Sequence, residues 1–280
     1  MTREHERSVV VNRRSFMTLS ASAVAGTVLA TQQLQGTVQK ESTAEVRDPK
    51  LVEDLVLANH ILANEEIVDA FGHVSVRNNR NPNRYLLARH VAPALVSPED
   101  ILEYDLDSNP IDGKDKSQYS ERFIHGEIYK ARPDVMSVVH SHSPSVIPFS
   151  LSSVPLRPVF HMAPFVVEGV PVFDTRAVPG PKQRLVASTE AGRLLAQMLG
   201  NHPAVLILGH GAAVVGTSLQ IAVGRSIYLE TSAKIQAQAI ALGGQITYFD
   251  PEAAHRASSG DYGQHAWDFW TRRAEKGKAQ

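Results

Sequence analysis

Two short apolar runs that end in histidine constrain this chain more than any other feature. "DVMSVVH" carries its apolar stretch from Val135 to Val139 and delivers His140, and "AVLILGH" runs from Ala204 to Leu208 and delivers His210. Each has the length of one buried strand. "AAVVG", 212–216, reads as a third strand after a turn at Gly211. Strands without a polar face must be covered on both sides, so the chain has to build a sheet between layers of helix.

The rest of the sequence supplies those layers. Apolar residues at 51, 52, 55, 58, 61 and 62 have helical spacing, behind Asp48 as N-cap and Pro49 at the first helical position. "GHVSVR" and "RYLLAR" read as a hairpin across "NNRNPN", and "ILEYDLD" as a strand closed by "SNPIDG". "SERFIHGEIYKARPD" is helical, with Ser120 or Ser117 near its cap. "ASTEAGRLLAQMLGN" is helical to Gly200, and a long helix capped by Ser218 runs to Leu242, where Gly243-Gly244 end it. "ITYFD" is expected to be a last strand and Trp267–Arg273 a terminal helix, with Trp267 and Trp270 on its packing face. Hairpins and crossovers together predict mixed pairing.

Composition narrows the chemistry. With 280 residues, 43% of them hydrophobic, the chain can build one large domain or two small ones. A net charge of −1 gives no reason to expect nucleic acid or an acidic membrane as partner. There is no cysteine, which excludes disulfides, zinc ribbons, iron–sulfur clusters and thiol catalysis. Any metal must be held by nitrogen and oxygen.

The N-terminal stretch reads as a leader. Arg13-Arg14 precede a weakly apolar run from Phe16 to a small-x-small end at Val28-Leu29-Ala30. That describes a twin-arginine export signal with a cut after Ala30; a membrane anchor or a disordered tail is the plainer alternative. The expected division is a signal over 1–30, a linker over 31–47 and one domain over 48–280. The expected location is periplasmic or otherwise exported, with no membrane attachment once the signal is gone, and cytoplasmic if the leader reading fails.

Two residues apart on a strand, His140 and His142 project to one face where the strand runs out. His210 also ends a strand, with Gly209 and Gly211 leaving room for close approach. Side by side, these ends would place three nitrogens round one point, an open metal site. The chain has 12 histidines, so a chance pair bonded to carbonyls is the competing account. A cupin would place a glutamate soon after the pair, and 143–147 read Ser-Pro-Ser-Val-Ile.

"SERFIHGEIYKARPDVMSVVHSHSP", then "LILGHGAAVVGTSLQIAV", with "GHVSVR" upstream, resembles the class II aldolase/adducin family over roughly residues 50–250. The resemblance implies an α/β fold, a three-layer α/β/α sandwich with a mixed, largely antiparallel central sheet. It implies a divalent metal, Mn2+ or Zn2+, one per subunit, on His140, His142 and His210. Glu121 would be the acid/base, able to bind the ion when substrate is absent, and the assembly a homotetramer with active sites between subunits.

The substrate end departs from the family's sugar-phosphate aldolases. His73 stands in "GHVS" where they have Asn, "LLARHVAP" replaces their phosphate loop, "YSE" replaces "SSE", and His161 stands where a neighbouring subunit gives a tyrosine. This pattern is similar to the family's decarboxylases of hydroxylated aromatic acids, such as a hydroxy-methylpyridine dicarboxylate or a dihydroxyphthalate. The expected substrate is a small carboxylate, held by Arg89 or Arg77 with Ser120 nearby. The expected proton sources are Glu121, His73 and His161. His125, a helical turn after Glu121, reads as its support, and His5, His60, His202, His255 and His265 as surface residues. An aldolase or epimerase acting on a non-phosphorylated sugar or hydroxy-keto acid is the alternative, and a non-catalytic adducin-like binding domain the remote one.

Overall fold

A computed structural model describes residues 47–182, 184–257 and 262–277, with the His255 side chain left aside. The leader and nearly all of the linker therefore lie outside the described residues, as does His5. Among the described residues no helix is long and apolar enough to cross a membrane.

Helix α1 spans Pro49–Asn64, and its N-cap Asp48 accepts from the Lys50 amide. Strands β1 (His73–Arg77), β2 (Arg84–Ala88) and β3 (Ile101–Asp105) follow as a meander. The β1–β2 turn is organised by Asn78, whose Oδ1 accepts from the Arg80 and Asn81 amides at 2.8 and 3.2 Å. Then come α2 (Phe123–Ala131), β4 (Ser137–Ser141), the short α3 (Ile147–Leu151), β5 (Val172–Phe173) and α4 (Thr189–Leu199). The hairpin β6 (Ala204–Ile207) and β7 (Gly211–Gly216) leads into α5 (Leu219–Leu242), α6 (Pro251–Ala257) and α7 (Gly263–Gly277).

The seven strands form one sheet in the order β3-β2-β1-β4-β7-β6-β5. Every pairing is antiparallel except β5 with β6. Alternation along β6 and β7 shows both faces covered. Ala204, Leu206, Ala212 and Val214 pack with Leu229 and Ala233 of α5, whereas Val205, Ile207, Ala213 and Val215 join a cluster containing Leu195 and Leu199 of α4. This is the expected three-layer α/β/α arrangement with a largely antiparallel sheet. Trp267 and Trp270 are buried in the same large cluster, as a packing face should be.

Three local expectations need correction. "ITYFD" forms no strand; it is held by the Phe249 amide on the Pro158 carbonyl (3.0 Å) and by Arg157 lying 4.0 Å over the Tyr248 ring. Neither Ser117 nor Ser120 caps α2, because a single 3-10 turn, Ser120–Arg122, precedes it and leaves Arg122 at the cap. His60 is buried rather than at the surface, and its Nε2–H donates to the Val96 carbonyl at 2.8 Å.

Candidate metal centre

Register builds the site. His73 is the cross-strand partner of His140, and His140 in turn faces Ala213 of β7. The β6–β7 turn, Leu208-Gly209-His210, folds back with Gly209 at φ 62° and sets His210 beside the end of β4. The close approach depends on Gly211, where an added Cβ would lie 2.0 Å from the Ser141 carbonyl oxygen. The 3-10 turn before α2 supplies Glu121 from the other side.

One donor atom each from Glu121, His140, His142 and His210 lies within 4.8 Å of the other three. Glu121 Oε2 is 3.5 Å from both His140 Nε2 and His210 Nε2, and His142 Nε2 is 3.1 Å from His210 Nε2. The partners of the remaining nitrogens set the tautomers. His140 Nδ1–H donates to the Ala212 carbonyl (3.1 Å) and His142 Nδ1–H to Asp69 (3.0 Å). Both rings therefore turn an Nε2 lone pair toward the same point. His140 Nε2 is buried with no hydrogen-bond partner among the described residues, and the facing lone pairs of His142 and His210 repel one another unless a proton or cation lies between them. The donor set fits a divalent ion, with three imidazoles and a carboxylate converging and two of the imidazoles, His140 and His142, oriented from behind.

The electrostatics agree. Burial alone would raise the Glu121 carboxyl, but positive charge at His140 and His210, which a bound cation supplies when those rings are neutral, holds it down at about 2, so it is ionised. Its Oε1 accepts the Val186 amide at 2.9 Å. Burial, with His140 next, pushes His210 down to about 4, the neutral form a metal ligand needs. Burial likewise drives His73 well below its usual value.

A cavity of about 290 Å³ opens beside this cluster, walled among others by His73, Ser120, Glu121, His142 and His210. The structure thus brings together Glu121, the three ligand histidines, His73 and Ser120. It does not bring Arg77, which stands at the far end of β1. Its guanidinium is used up by the carbonyls of Val135, Pro82, Tyr129 and Arg132, so the expectation that it holds substrate is withdrawn. Arg89 is likewise turned away. Its Nε–H donates to Asp100 at 2.6 Å, and it is not among the walls of the cavity. His161 is exposed beside Phe160 and lines a separate hollow with Pro164 and Phe249.

Several residues at the site escaped sequence reasoning. His90 and Tyr119 wall the cavity, and Asp69 orients His142 from 73 positions away, a pairing that no local pattern encodes. A second cavity, about 810 Å³, is also walled by His142 and His210 and carries Arg176, Lys182 and Arg184. Only their charge could have singled them out.

The resemblance to known proteins follows the same lines. The chain is 34% identical over 244 residues to the decarboxylase tropJ of Talaromyces stipitatus, covering 78% of this chain and 91% of that protein. It is 31% identical to a 3,4-dihydroxyphthalate decarboxylase of Arthrobacter keyseri, over 69% of this chain and 80% of that one. An L-fuculose 1-phosphate aldolase structure from Glaciozyma antarctica superposes with a TM-score of 0.64 at 26% identity, covering 80% of this chain and 86% of that one. Decarboxylases and aldolases are both lyases. The pattern of the class II aldolase and adducin N-terminal domain matches residues 53–237, the span that holds the sheet, Glu121 and all three histidines, and to that family this chain belongs.

Proposed function

We propose that the protein is a divalent-metal-dependent lyase that removes CO2 from a hydroxylated aromatic or heteroaromatic carboxylate. The observation that carries this reading is the convergence of Glu121, His140, His142 and His210 on one point, in a chain whose relatives include decarboxylases. A divalent ion, Mn2+ or Zn2+, held there by the three imidazoles would withdraw electrons as the carbon–carbon bond breaks.

The side chains supply the rest. Ionised Glu121 takes the proton of the ring hydroxyl and returns it to the ring carbon that bears the carboxylate. The bond to the carboxylate then breaks, CO2 departs, and its electron pair restores the aromatic ring with the charge on the ring oxygen. His73 and Ser120 face the same cavity and bind the substrate's oxygens. His73 and His161 are the other proton sources to be tested, and His161 would act from a neighbouring subunit of a homotetramer. Export through the Arg13-Arg14 leader belongs to the same proposal, and N-terminal sequencing of the mature protein tests it.

Retro-aldol cleavage is the second reading, supported by the aldolase superposition. Against it, Ala88-Arg89-His90 leaves no glycine nest for a sugar phosphate. A screen of ortho-hydroxy aromatic acids for CO2 release, run beside hydroxy-keto acids for aldehyde release, separates the two. CO2 from the aromatic acids is expected, and aldehyde alone would overturn the proposal.

A further inference from the structure

Behind His73 runs a file of buried polar side chains to which the proposed chemistry gives no part. His73 Nδ1 lies 2.7 Å from His125 Nε2, His125 Nδ1 lies 2.6 Å from Ser75 Oγ, and Ser75 Oγ lies 2.7 Å from the Tyr129 hydroxyl. None of the four residues is more than 1% exposed. Each gap holds one hydrogen, so the file has two self-consistent directions, and its inner end selects between them.

The one acceptor for the Tyr129 hydroxyl hydrogen among the described residues is Ser75 Oγ. The other group against the phenol oxygen, the Val138 backbone amide, is itself a donor. Were Ser75 to donate inward, the Tyr129 hydrogen would be stranded in the core, the costly arrangement for a buried donor. Tyr129 therefore donates to Ser75, and Ser75 gives its single hydrogen to His125 Nδ1. His125 then carries its hydrogen on Nε2 and gives it to His73 Nδ1. His73 is left with its own hydrogen on Nε2. A doubly protonated His73 would reverse every link and strand the Tyr129 hydrogen again. Meanwhile His73 Nε2 is buried without a partner among the described residues, on a residue that walls the cavity and whose ring is 5.1 Å from that of His140.

We propose that the one-way file from Tyr129 through Ser75 and His125 fixes His73 as the Nε2–H tautomer and aims that N–H as a hydrogen-bond donor at an anionic oxygen of the substrate, a carboxylate or a ring oxyanion. The choice of oxygen rests on the function proposed above; the tautomer does not. Two consequences follow. An Nε2 that carries hydrogen has no lone pair for a metal, so His73 is not a fourth imidazole ligand. A neutral imidazole N–H also binds an oxyanion without surrendering its proton, since the loss would run back along the file to a phenol that burial has made still less acidic. His73 is thereby removed from the proton sources, and Glu121 and His161 remain. His125, Ser75 and Tyr129 are positioning residues.

The test is long-range 15N–1H correlation on enzyme labelled at histidine, with His73 assigned through His73→Asn and 2-hydroxybenzoate as the probe. The proposal expects hydrogen on Nε2 alone, and an Nε2 resonance that moves when 2-hydroxybenzoate is added while Nδ1 stays. It expects Ser75→Ala and Tyr129→Phe to mix the tautomers and weaken 2-hydroxybenzoate binding about tenfold, and Ser75→Thr, which keeps the hydroxyl, to restore both. Hydrogen on Nδ1, or on both nitrogens, in the unmutated protein overturns it without any variant having to fold. So do a His73 signal and an affinity unchanged in Ser75→Ala, or a protein with the Nε2–H tautomer that does not bind 2-hydroxybenzoate. Failure to release CO2 from any aromatic acid, with tautomer and binding as expected, would count against the proposed function and leave this inference standing.

Discussion

At one end of β1 stands His73 and at the other Arg77, on the same face of the sheet and 1% and 4% exposed. Arg77 gives hydrogen bonds to four main-chain carbonyls and stacks 4.7 Å over Tyr129. Among the described residues His73 is anchored by one nitrogen only, and near it His140 Nε2 and His210 Nδ1 are also buried without partners. Buried polar atoms are nearly always paired, so several unpaired ones gathered in one place mark where something from outside completes the structure. The satisfied end holds the fold together, and the unsatisfied end is arranged for a ligand.

The comparison breaks most sharply at Glu121. Glu121→Gln keeps an oxygen for the Val186 amide but can neither take nor return a proton. A loss of about 10³-fold in kcat is expected, with unfolding stability within about 1 kcal/mol of the parent; a variant with unaltered turnover would remove Glu121 from the chemistry. The far end should behave in reverse. Arg77→Met takes a donor from each of four carbonyls, of which only that of Arg132 keeps the Val135 amide, and should cost about 3 kcal/mol in urea unfolding, while activity per folded molecule persists. Lost activity in a fully stable Arg77→Met protein would return Arg77 to the site.

How much of this the sequence discloses depends on the range of the interaction. The strands around His140 and His210 and the long helices follow from local periodicity, as do the caps at Asp48 and Ser218. The resemblance reached Glu121 and the histidines because their motifs are short and contiguous. It could not separate Arg77 from His73, since four positions apart on one strand they differ only in what lies opposite. Asp69 behind His142 and the file behind His73 join residues 50 or more positions apart, and His60 is buried by a loop 36 positions later. "ITYFD" has the alternation of a strand, yet it lies at the surface, joined to 157–158 by a single backbone hydrogen bond and a ring contact.

Acid sharpens the same contrast in metal-free protein. Burial, and then His140, pushes His125 down to about 3 from its ordinary 6.5. Between those values the unfolded chain binds a proton that the folded chain refuses, so stability falls as pH drops from 6.5 toward 3. Glu121, ionised down to about 2 in the fold, adds a loss of the same sign below 4.5. Urea midpoints should decline across that range, less steeply in His125→Gln; a midpoint that rises on acidification would contradict the buried neutral imidazole. The smallest effect belongs to Arg89. Its pair with Asp100 is partly exposed, so Arg89→Met should cost at most about 1 kcal/mol and leave KM alone, and a marked rise in KM would put Arg89 back on the substrate.

Metal content tests the central claim most directly. The parent protein, His140→Ala and Arg77→Met would be purified identically without added metal and analysed for bound ions. The account predicts about one divalent ion per chain in the parent and in Arg77→Met, and almost none in His140→Ala. A full equivalent retained by folded His140→Ala would show that the histidines of β4 and the β6–β7 turn do not hold the ion.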